Sequence, residues 1–295
     1  MRITDLIREA GPTVSFEFFP PADEAGSVSL FETIASLVPL HPAFISVTYG
    51  AGGSSRERTQ RLVERIRAET DLGPLPHLTC LGHRTTDIDR IVDRYEALGI
   101  SSILCLRGDR PREGTEAPGD FTHAADLVAH VRRRSPGLEI GVAGYPEGHP
   151  ETPNTLVQME HLKAKVDAGA DFIISQLFFD NRAFLDWRER CRLAGVAAPV
   201  LAGIMPITSI AGMRRMAELA AGTRFPAPLM RSLSRAGSDP ESVKRVGIHW
   251  ASEQCRDLLD HRVDGFHFYT LNKSDATRRV FENLGIVDSA GLRSP

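Results

Sequence analysis

The sequence lacks the features that mark secreted or membrane-bound proteins. Its four cysteines are widely spaced and form no CxxC pair, which favours reduced thiols over disulfides. No hydrophobic run reaches the length of a membrane span, and the N-terminal residues carry charges where a signal peptide needs an apolar stretch. We therefore expect a cytoplasmic protein without a membrane partner.

The sequence also lacks an excess of charge of either sign. Its formal net charge is −3, and its arginines are spread along the chain instead of forming one basic block. This composition offers no electrostatic case for binding nucleic acid or an acidic membrane. Neither a GxGxxG nor a GxxxxGK motif is present, so Gly50 to Gly53 are interpreted as an ordinary turn. A homo-oligomer remains an open alternative to a monomer.

What the sequence does contain is a regular alternation of strand and helix patterns. Its 295 residues are 42% hydrophobic and 25% charged, as in an average globular protein. Apolar runs of strand length recur, mostly about ~30 residues apart, with segments of helical period between them. The predicted strands are 14–19, 44–49, 76–81, 102–107, 139–144, 171–178, 199–204 and 265–271. Eight such units predict an α/β fold, a (β/α)8 TIM barrel, over residues 1–295 as a single domain.

One interval departs from this rhythm. The seventh and eighth predicted strands are separated by a longer stretch, in which residues 222–240 are rich in Gly, Pro, Ser and Arg. No independent hydrophobic core follows them. We interpret these residues as an extra connection between two helices beside the barrel mouth, and not as a domain boundary.

The first predicted strand carries a carboxyl group in an apolar setting. Glu17 lies within Val14 to Phe19, and two prolines end the run. Burial disfavours the charged form of a carboxyl group, so Glu17 is a candidate general acid that keeps its proton near neutral pH. The alternative is that Glu17 forms a structural ion pair with an arginine.

Polar residues collect at the C-terminal ends of the predicted strands, where barrel enzymes hold their active sites. They include Thr48, His77, Arg107, Asp109, Tyr145, His149, Gln176 and Lys273. Such a ring suits a flat heterocycle with several hydrogen-bonding edges, for example a flavin or a pterin. His77, Cys80 and His83 have a spacing that resembles a zinc motif, but strand geometry would scatter these side chains, and we predict no metal site.

Seven segments together resemble the methylenetetrahydrofolate reductase family along nearly the whole chain. They begin at Ser15 (SFEFFPP), Ser46 (SVTYGA), Pro76 (PHLTC), Leu106 (LRGD), Tyr145 (YPEGHP), Lys165 (KVDAGA) and Phe266 (FHFYTLN). The resemblance implies a bacterial catalytic-domain type of barrel that reduces 5,10-methylenetetrahydrofolate to 5-methyltetrahydrofolate. It implies FAD as cofactor and NADH or NADPH as the source of hydride, with folate and nicotinamide as the small-molecule partners.

The resemblance also implies roles for individual residues. Glu17 would protonate N10 of the folate, and Asp109 would orient the substrate and tune the flavin. Substrate contacts would come from Asp109, Gln176, Phe178, Met216 and Lys273. FAD would be held by Thr48, His77, Arg107, Asp109, Tyr145, His149, Gln158, His161 and Lys165.

The chain departs from the family on the helix before Lys165. Members that bind FAD tightly carry an acidic residue, an asparagine and a basic residue where this chain has Gln158, His161 and Ala164. Met216 likewise replaces an aromatic residue. Two alternatives therefore stay open beside the flavoenzyme: direct hydride transfer from NADH with FAD weakly bound or absent, and a barrel that sequesters folate or flavin without turnover.

Overall fold

The structure is a computed structural model that describes residues 2–49, 53–109, 119–152, 154–220 and 222–293. Its centre is a closed barrel of eight parallel strands, in which each strand pairs with its neighbours in chain order and β8 pairs with β1. The strands are β1 Thr13–Phe18, β2 Phe44–Val47, β3 Pro74–Thr79, β4 Ser102–Leu106, β5 Glu139–Gly144, β6 Phe172–Ser175, β7 Val200–Ile204 and β8 Gly265–Tyr269. The barrel predicted from the sequence is confirmed.

Helices surround the strands. They are α1 Ile3–Ala10, α2 Glu24–Leu37, α3 Gly53–Glu69, α4 Thr85–Ala97, α5 Ala124–Arg134, α6 Thr155–Asp167, α7 Asn181–Leu193, α8 Ile210–Leu219, α9 Ala227–Ala236, α10 Pro240–Asp260 and α11 Asp275–Leu284. Short 3-10 helices cover Val38–Leu40 and Ser289–Arg293. The stretch predicted as an extra connection contains α9, which packs between α8 and α10 with Leu229 and Leu233 buried.

Several strands are shorter at their C-terminal ends than the apolar pattern predicts. The clearest case is β6, which ends at Ser175, whereas the apolar pattern continues to Phe178. The backbone leaves the ladder directly after Ser175, where the Gln176 side chain accepts a hydrogen bond from the N–H of Leu177 at 2.9 Å. The segment after the strand is apolar because it packs against helices.

Alternate strand residues fill two separate layers. Phe16, Phe18 and Val47 face the surrounding helices and belong to the main hydrophobic core. A second cluster fills the lower half of the barrel interior and contains Phe44, Leu75, Leu104, Phe172, Ile174 and Leu201. Because the side-chain period of a strand is two, the residues between the core-facing ones point into the barrel. Glu17 belongs to this inward set.

Helix α1 closes the N-terminal end of the barrel. Ile3 and Ile7 pack against the interior cluster, and the fully buried Glu139 carboxylate holds the start of the helix. Its two oxygens accept hydrogen bonds from the backbone N–H of Ile3 at 2.6 Å and of Thr4 at 2.8 Å. The hydroxyls of Thr4 and Ser102 also donate to it. Helix α1 therefore covers the N-terminal end of the barrel interior.

Candidate active site

The upper half of the barrel interior holds one carboxyl group and two imidazoles. Glu17 on β1, His77 on β3 and His267 on β8 are all buried, and the Nε2 atoms of both histidines lie 3.6 Å from Glu17 Oε2. Among the described residues, Glu17 therefore faces two histidines. It does not face an arginine, which the alternative of a structural ion pair required. The carboxyl group lies just above the apolar plug of the barrel, which is the interior cluster of Phe44, Leu75, Leu104, Phe172, Ile174 and Leu201.

The neighbours of Glu17 do not include a permanent cation among the described residues. Burial lowers the pKa of His77 to about 4, against a smaller opposing effect of Glu17, so this imidazole is neutral near pH 7. Its Nε2 atom has no hydrogen-bond partner among the residues that the structure describes. An isolated buried charge is costly, so a buried carboxyl group without a permanent cation beside it suits proton donation.

His267 is a site residue that the sequence-based prediction did not include. Its ring is completely buried, stacks on Phe44 at a centroid distance of 6.0 Å, and has hydroxyl partners at both nitrogens. Ser15 Oγ lies 2.8 Å from Nδ1, and Ser46 Oγ lies 3.3 Å from Nε2. The period-two pattern of β8, in which Phe266 and Phe268 face outward, was the available signal for an inward His267.

Tyr269 covers part of the mouth one step above His267. Its hydroxyl donates a hydrogen bond to the carbonyl of Ser175 at 2.8 Å. The ring crosses strand β7 at Gly203, where a Cβ atom would lie 2.8 Å from the tyrosine ring and 2.3 Å from the Ser175 carbonyl oxygen. Glycine is therefore required at position 203 for this arrangement, which leaves a flat aromatic face near Glu17.

A second space opens beside the mouth, between the ends of β4 and β5 and the helices α5 and α6. This α5–α6 cleft has a volume of about 510 Å³. It brings together six of the nine residues predicted to hold a cofactor: Arg107, Tyr145, His149, Gln158, His161 and Lys165. Ala164 also lines it. The cleft is large enough for part of a dinucleotide-sized ligand.

Lys165 is the clearest candidate for an anion-binding group in the cleft. Its Nζ atom donates to the carbonyl of Ala143 at 2.5 Å and lies 5.9 Å from the ring centroid of Tyr145. Burial lowers the pKa of this amine to about 8. Among the described residues no carboxylate forms an ion pair with it, so a ligand phosphate would supply a missing counter-charge.

Other cleft residues already have protein partners. Arg107 donates to the Glu151 carboxylate at 2.6 Å, which raises the pKa of the guanidinium. The rings of Tyr145 and His149 meet edge to face at 4.8 Å. Burial is the main cause that raises the pKa of Tyr145, and the nearby Asp109 carboxylate adds to it. Asp109 therefore lies beside the cleft, and its side chain is solvent-exposed.

The remaining predicted residues are spread around the mouth. The backbone N–H of Thr48 donates to the carbonyl of Phe18, next to Glu17, and Gln176 follows β6 directly. Lys273 is exposed in the turn after β8. Met216 on α8 is buried in an apolar cluster that borders Tyr269.

In the α5–α6 cleft, Gln158 donates to the carbonyl of Thr152, and the ring of His161 lies 5.9 Å from that of His123.

The structure does not bring Phe178 to the mouth. Its ring is completely buried and stacks on Phe184 of α7 at 4.7 Å with an interplanar angle of 11°. Two residues beyond Gln176, the chain has left the strand, so the period of two no longer carries the side chain inward. The substrate contact expected at Phe178 is replaced by packing between the barrel and α7.

Three residues with a zinc-like spacing do not converge on one point in the structure. His77 faces Glu17, whereas His83 contacts Tyr49 and the Cys80 thiol contacts the Arg107 carbonyl, so the three side chains lie apart. Across the described ranges, no three metal-ligating side chains of His, Cys, Asp or Glu converge. Nor does any helix there combine the length and apolarity that crossing a membrane requires.

Solved structures with the same fold share little sequence with this chain. A protein from Clostridium thermocellum, described as binding two copies of 5-methyl-5,6,7,8-tetrahydrofolic acid, has a TM-score of 0.67 at 10% identity and covers 96% of this chain and 97% of its own. A protein from Aquifex aeolicus VF5 has a TM-score of 0.51 at 14% identity and covers 99% of this chain and 97% of its own. At these identities the comparison supports the fold alone.

Sequence relatives are closer. Methylenetetrahydrofolate reductase (NADH) 1 of Arabidopsis thaliana is 38% identical over 309 residues, which cover 99% of this chain and 52% of that protein. The 5,10-methylenetetrahydrofolate reductase of Escherichia coli K12 is 36% identical over 273 residues, which cover 92% of this chain and 90% of that protein. The chain thus spans about half the length of the plant relative and nearly all of the bacterial one.

A family model described as methylenetetrahydrofolate reductase matches residues 2–285. This match covers all eight strands and every residue of the site described above. The chain belongs to the methylenetetrahydrofolate reductase family.

Proposed function

We propose that this chain reduces 5,10-methylenetetrahydrofolate to 5-methyltetrahydrofolate with hydride from NADH, and that FAD is its cofactor. Family membership and the names of its relatives, among them NADH-dependent reductases, support this activity. The single observation that carries the proposal is the buried Glu17 carboxyl group, held above the apolar plug between two histidines.

Glu17 would act on the folate as a general acid. The five-membered ring of the substrate opens when the bond from its methylene carbon to N10 breaks, and the departing amine then requires a proton. A carboxyl group that is buried and lacks a permanent cation beside it can deliver that proton from Oε2. The iminium carbon that results accepts hydride and becomes the methyl group.

The polar groups of the mouth would bind and orient the folate. Gln176 offers an amide to the donor and acceptor edge of a pterin, and Asp109 offers a carboxylate. Tyr269 presents an aromatic face over Gly203, and the exposed Lys273 can meet a carboxylate of the substrate.

The residues of the α5–α6 cleft fit FAD. Lys165 lacks an anionic partner, Arg107 provides a second cation, and Tyr145 with His149 provides aromatic surface. The two cations would bind the phosphates, and the aromatic pair would contact the flat ring system. When bound, FAD supplies the two-electron chemistry between the nicotinamide and the folate.

A second candidate function is the same reduction with direct hydride transfer from NADH. It is favoured by the cleft residues themselves, because Ala164 carries no charge and Arg107 is already paired with Glu151. The visible absorption spectrum of the purified protein separates the two candidates. A flavin band, or stimulation of turnover by added FAD, supports the flavoenzyme. Turnover without flavin supports direct transfer.

The cysteines support a reducing compartment as the place of this activity. All four are free and buried, and burial raises the pKa of each thiol. Neutral thiols of this kind are structural and resist oxidation. We therefore propose the cytoplasm.

Replacing Glu17 by glutamine tests the proposal. We expect Glu17→Gln to lower turnover of methylenetetrahydrofolate by at least about 100-fold, the usual scale of general acid catalysis, because an amide cannot release the proton. NADH oxidation with an artificial electron acceptor and the binding of folate should persist. Steady-state kinetics with both acceptors measures the effect.

Glu32→Gln is the matched control, since it makes the same change at an exposed residue of α2. It should retain the activity of the parent protein with both acceptors. If Glu17→Gln retains full folate turnover, the assignment of Glu17 as the acid is wrong. If the parent protein neither binds folate nor oxidises NADH in its presence, the proposed function itself is wrong.

A further inference from the structure

His267 has two hydroxyl partners, and their geometry determines which of its nitrogens carries the proton. Ser15 Oγ lies 2.8 Å from Nδ1 and 3.2 Å from the carbonyl oxygen of Phe266. The carbonyl can only accept, so the single hydroxyl proton of Ser15 satisfies it. The Ser15 oxygen then accepts from Nδ1–H, and both contacts are hydrogen bonds. In a neutral imidazole this assignment leaves Nε2 without a proton.

The free electron pair of Nε2 faces two groups that can donate to it. Ser46 Oγ lies 3.3 Å away and Glu17 Oε2 lies 3.6 Å away. Glu17 can donate only in its protonated form, so an accepting Nε2 stabilises the neutral acid over the carboxylate. A separation of 3.6 Å exceeds a hydrogen bond, and such catalytic contacts commonly shorten when substrate binds.

The ring of His267 has little freedom to choose another orientation. It stacks on Phe44 with an interplanar angle of 19° and meets the edge of Tyr269 at a centroid distance of 5.4 Å. Phe44 belongs to the interior cluster of the lower barrel, whereas Tyr269 lies two residues beyond His267 on β8. A flip of the imidazole would place carbon atoms against the two serine hydroxyls and break both hydrogen bonds. Packing and hydrogen bonding therefore favour the same orientation.

We propose that His267 is a positioning residue, which favours the protonated form of Glu17 and directs its proton by presenting an unprotonated Nε2 to Oε2. This inference rests on the proposed function and deepens it. The titratable groups that face His267 or Glu17 among the described residues are His77 and Tyr269. His77 faces the same Oε2 atom from β3, and Tyr269 borders the ring from its own strand.

The test compares two amides at position 267. In His267→Asn the shorter side chain can still meet Ser15 but has no group at the place of Nε2, whereas His267→Gln can place an amide there. We expect His267→Asn to move the loss of activity at high pH downward by about one unit, the scale of one neutral hydrogen bond. His267→Asn should lower kcat and change KM by less than about twofold. His267→Gln should reverse part of the shift in the pH profile.

A second measurement does not depend on turnover. The carboxyl ¹³C signal of Glu17, identified by its absence in Glu17→Gln, reports protonation of the unliganded protein as the pH changes. Its midpoint should fall in His267→Asn and should not fall in Ser46→Ala, which removes the competing donor. If the midpoint and the pH profile stay in place in His267→Asn, the inference is wrong.

His130→Asn is the control for loss of a partly buried histidine. His130 lies on α5 and pairs with Asp89 on α4 at 2.8 Å, outside the barrel interior. This variant should leave both the pH profile and the Glu17 signal unchanged. Should the parent protein show no turnover while the Glu17 midpoint still depends on His267, the proposed function fails and the positioning role stands.

Discussion

Lys165 is a cation that the fold keeps partly out of water without a described carboxylate beside it. Its Nζ donates to a backbone carbonyl, and burial disfavours the charged amine. This arrangement costs stability in the absence of a ligand and becomes favourable when an anion binds. A residue of this kind is more informative about a ligand than an exposed lysine, because the protein offers it no counter-charge.

We expect the affinity for FAD to decrease as the pH rises above about 8. The pKa of Lys165 is lowered from 10.5 to about 8, so the folded protein loses this proton before the unfolded chain does. An anionic ligand prefers the charged amine, and binding above pH 8 must therefore take up a proton. The dissociation constant should rise by up to about tenfold per pH unit. Quenching of FAD fluorescence measures it.

The variant Lys165→Gln identifies the source of this pH dependence. It should bind FAD more weakly than the parent protein at pH 7 and show a flat dependence above pH 8. The stability of the unliganded protein has the opposite pH dependence, since it rises between pH 8 and 10.5 as the buried charge is removed from the native state. A pH dependence that persists unchanged in Lys165→Gln would show that another group is responsible.

Helix α6 determines how much positive charge the α5–α6 cleft presents. Gln158, His161, Ala164 and Lys165 all line the cleft from this helix, and Lys165 is the one lysine or arginine among them. The opposite wall contributes Arg107, which is bound to Glu151. The helix is thus the element at which the strength of cofactor binding can be changed without altering the barrel.

We expect Ala164→Arg to strengthen FAD binding by about tenfold or more. A guanidinium that reaches a phosphate forms a charge-assisted hydrogen bond worth roughly 1.5 to 3 kcal/mol. Leu156→Arg is the matched control, because Leu156 is 74% exposed on the same helix and does not line the cleft. Equal gains in both variants would mean that overall charge, and not the cleft, attracts the cofactor. Equilibrium titration of FAD measures both.

At the scale of the whole molecule, a contact at the N-terminal end of the barrel joins α1 to β5. Glu139 is the first residue of β5, and its carboxylate accepts hydrogen bonds from the first residues of α1. Helix α1 begins the sequence, whereas β8, the strand that closes the barrel, lies near its end. The negative charge also lies at the positive end of the helix dipole. Through this contact α1 stays over the interior cluster and keeps water out of the lower barrel.

We expect Glu139→Ala to lower the free energy of unfolding by about 3 kcal/mol or more, because it leaves two backbone N–H groups and two hydroxyls without their acceptor. Thr4→Val removes a single one of these hydrogen bonds and should cost about 1 kcal/mol. Urea denaturation followed by circular dichroism measures both. If the two variants lose the same stability, the carboxylate does not act as the common anchor.

The eight-stranded architecture can be predicted from local sequence because each strand is a short apolar run bounded by turn residues. The run at Glu139–Gly144 matches the observed strand residue for residue. The position of Glu17 in such a run also predicts its burial, which the structure confirms. These features depend on the period of a single strand and on its immediate neighbours in the chain.

Other features depend on residues that meet only when the barrel closes. Ser15 and His267 are 252 residues apart in the chain, and they become partners because β8 pairs with β1. The outward packing of Phe178 follows from where β6 ends, which local hydrophobicity does not specify. Hydrophobic burial determines which segments become strands. The register in which β8 pairs with β1 determines which polar atoms meet inside the barrel.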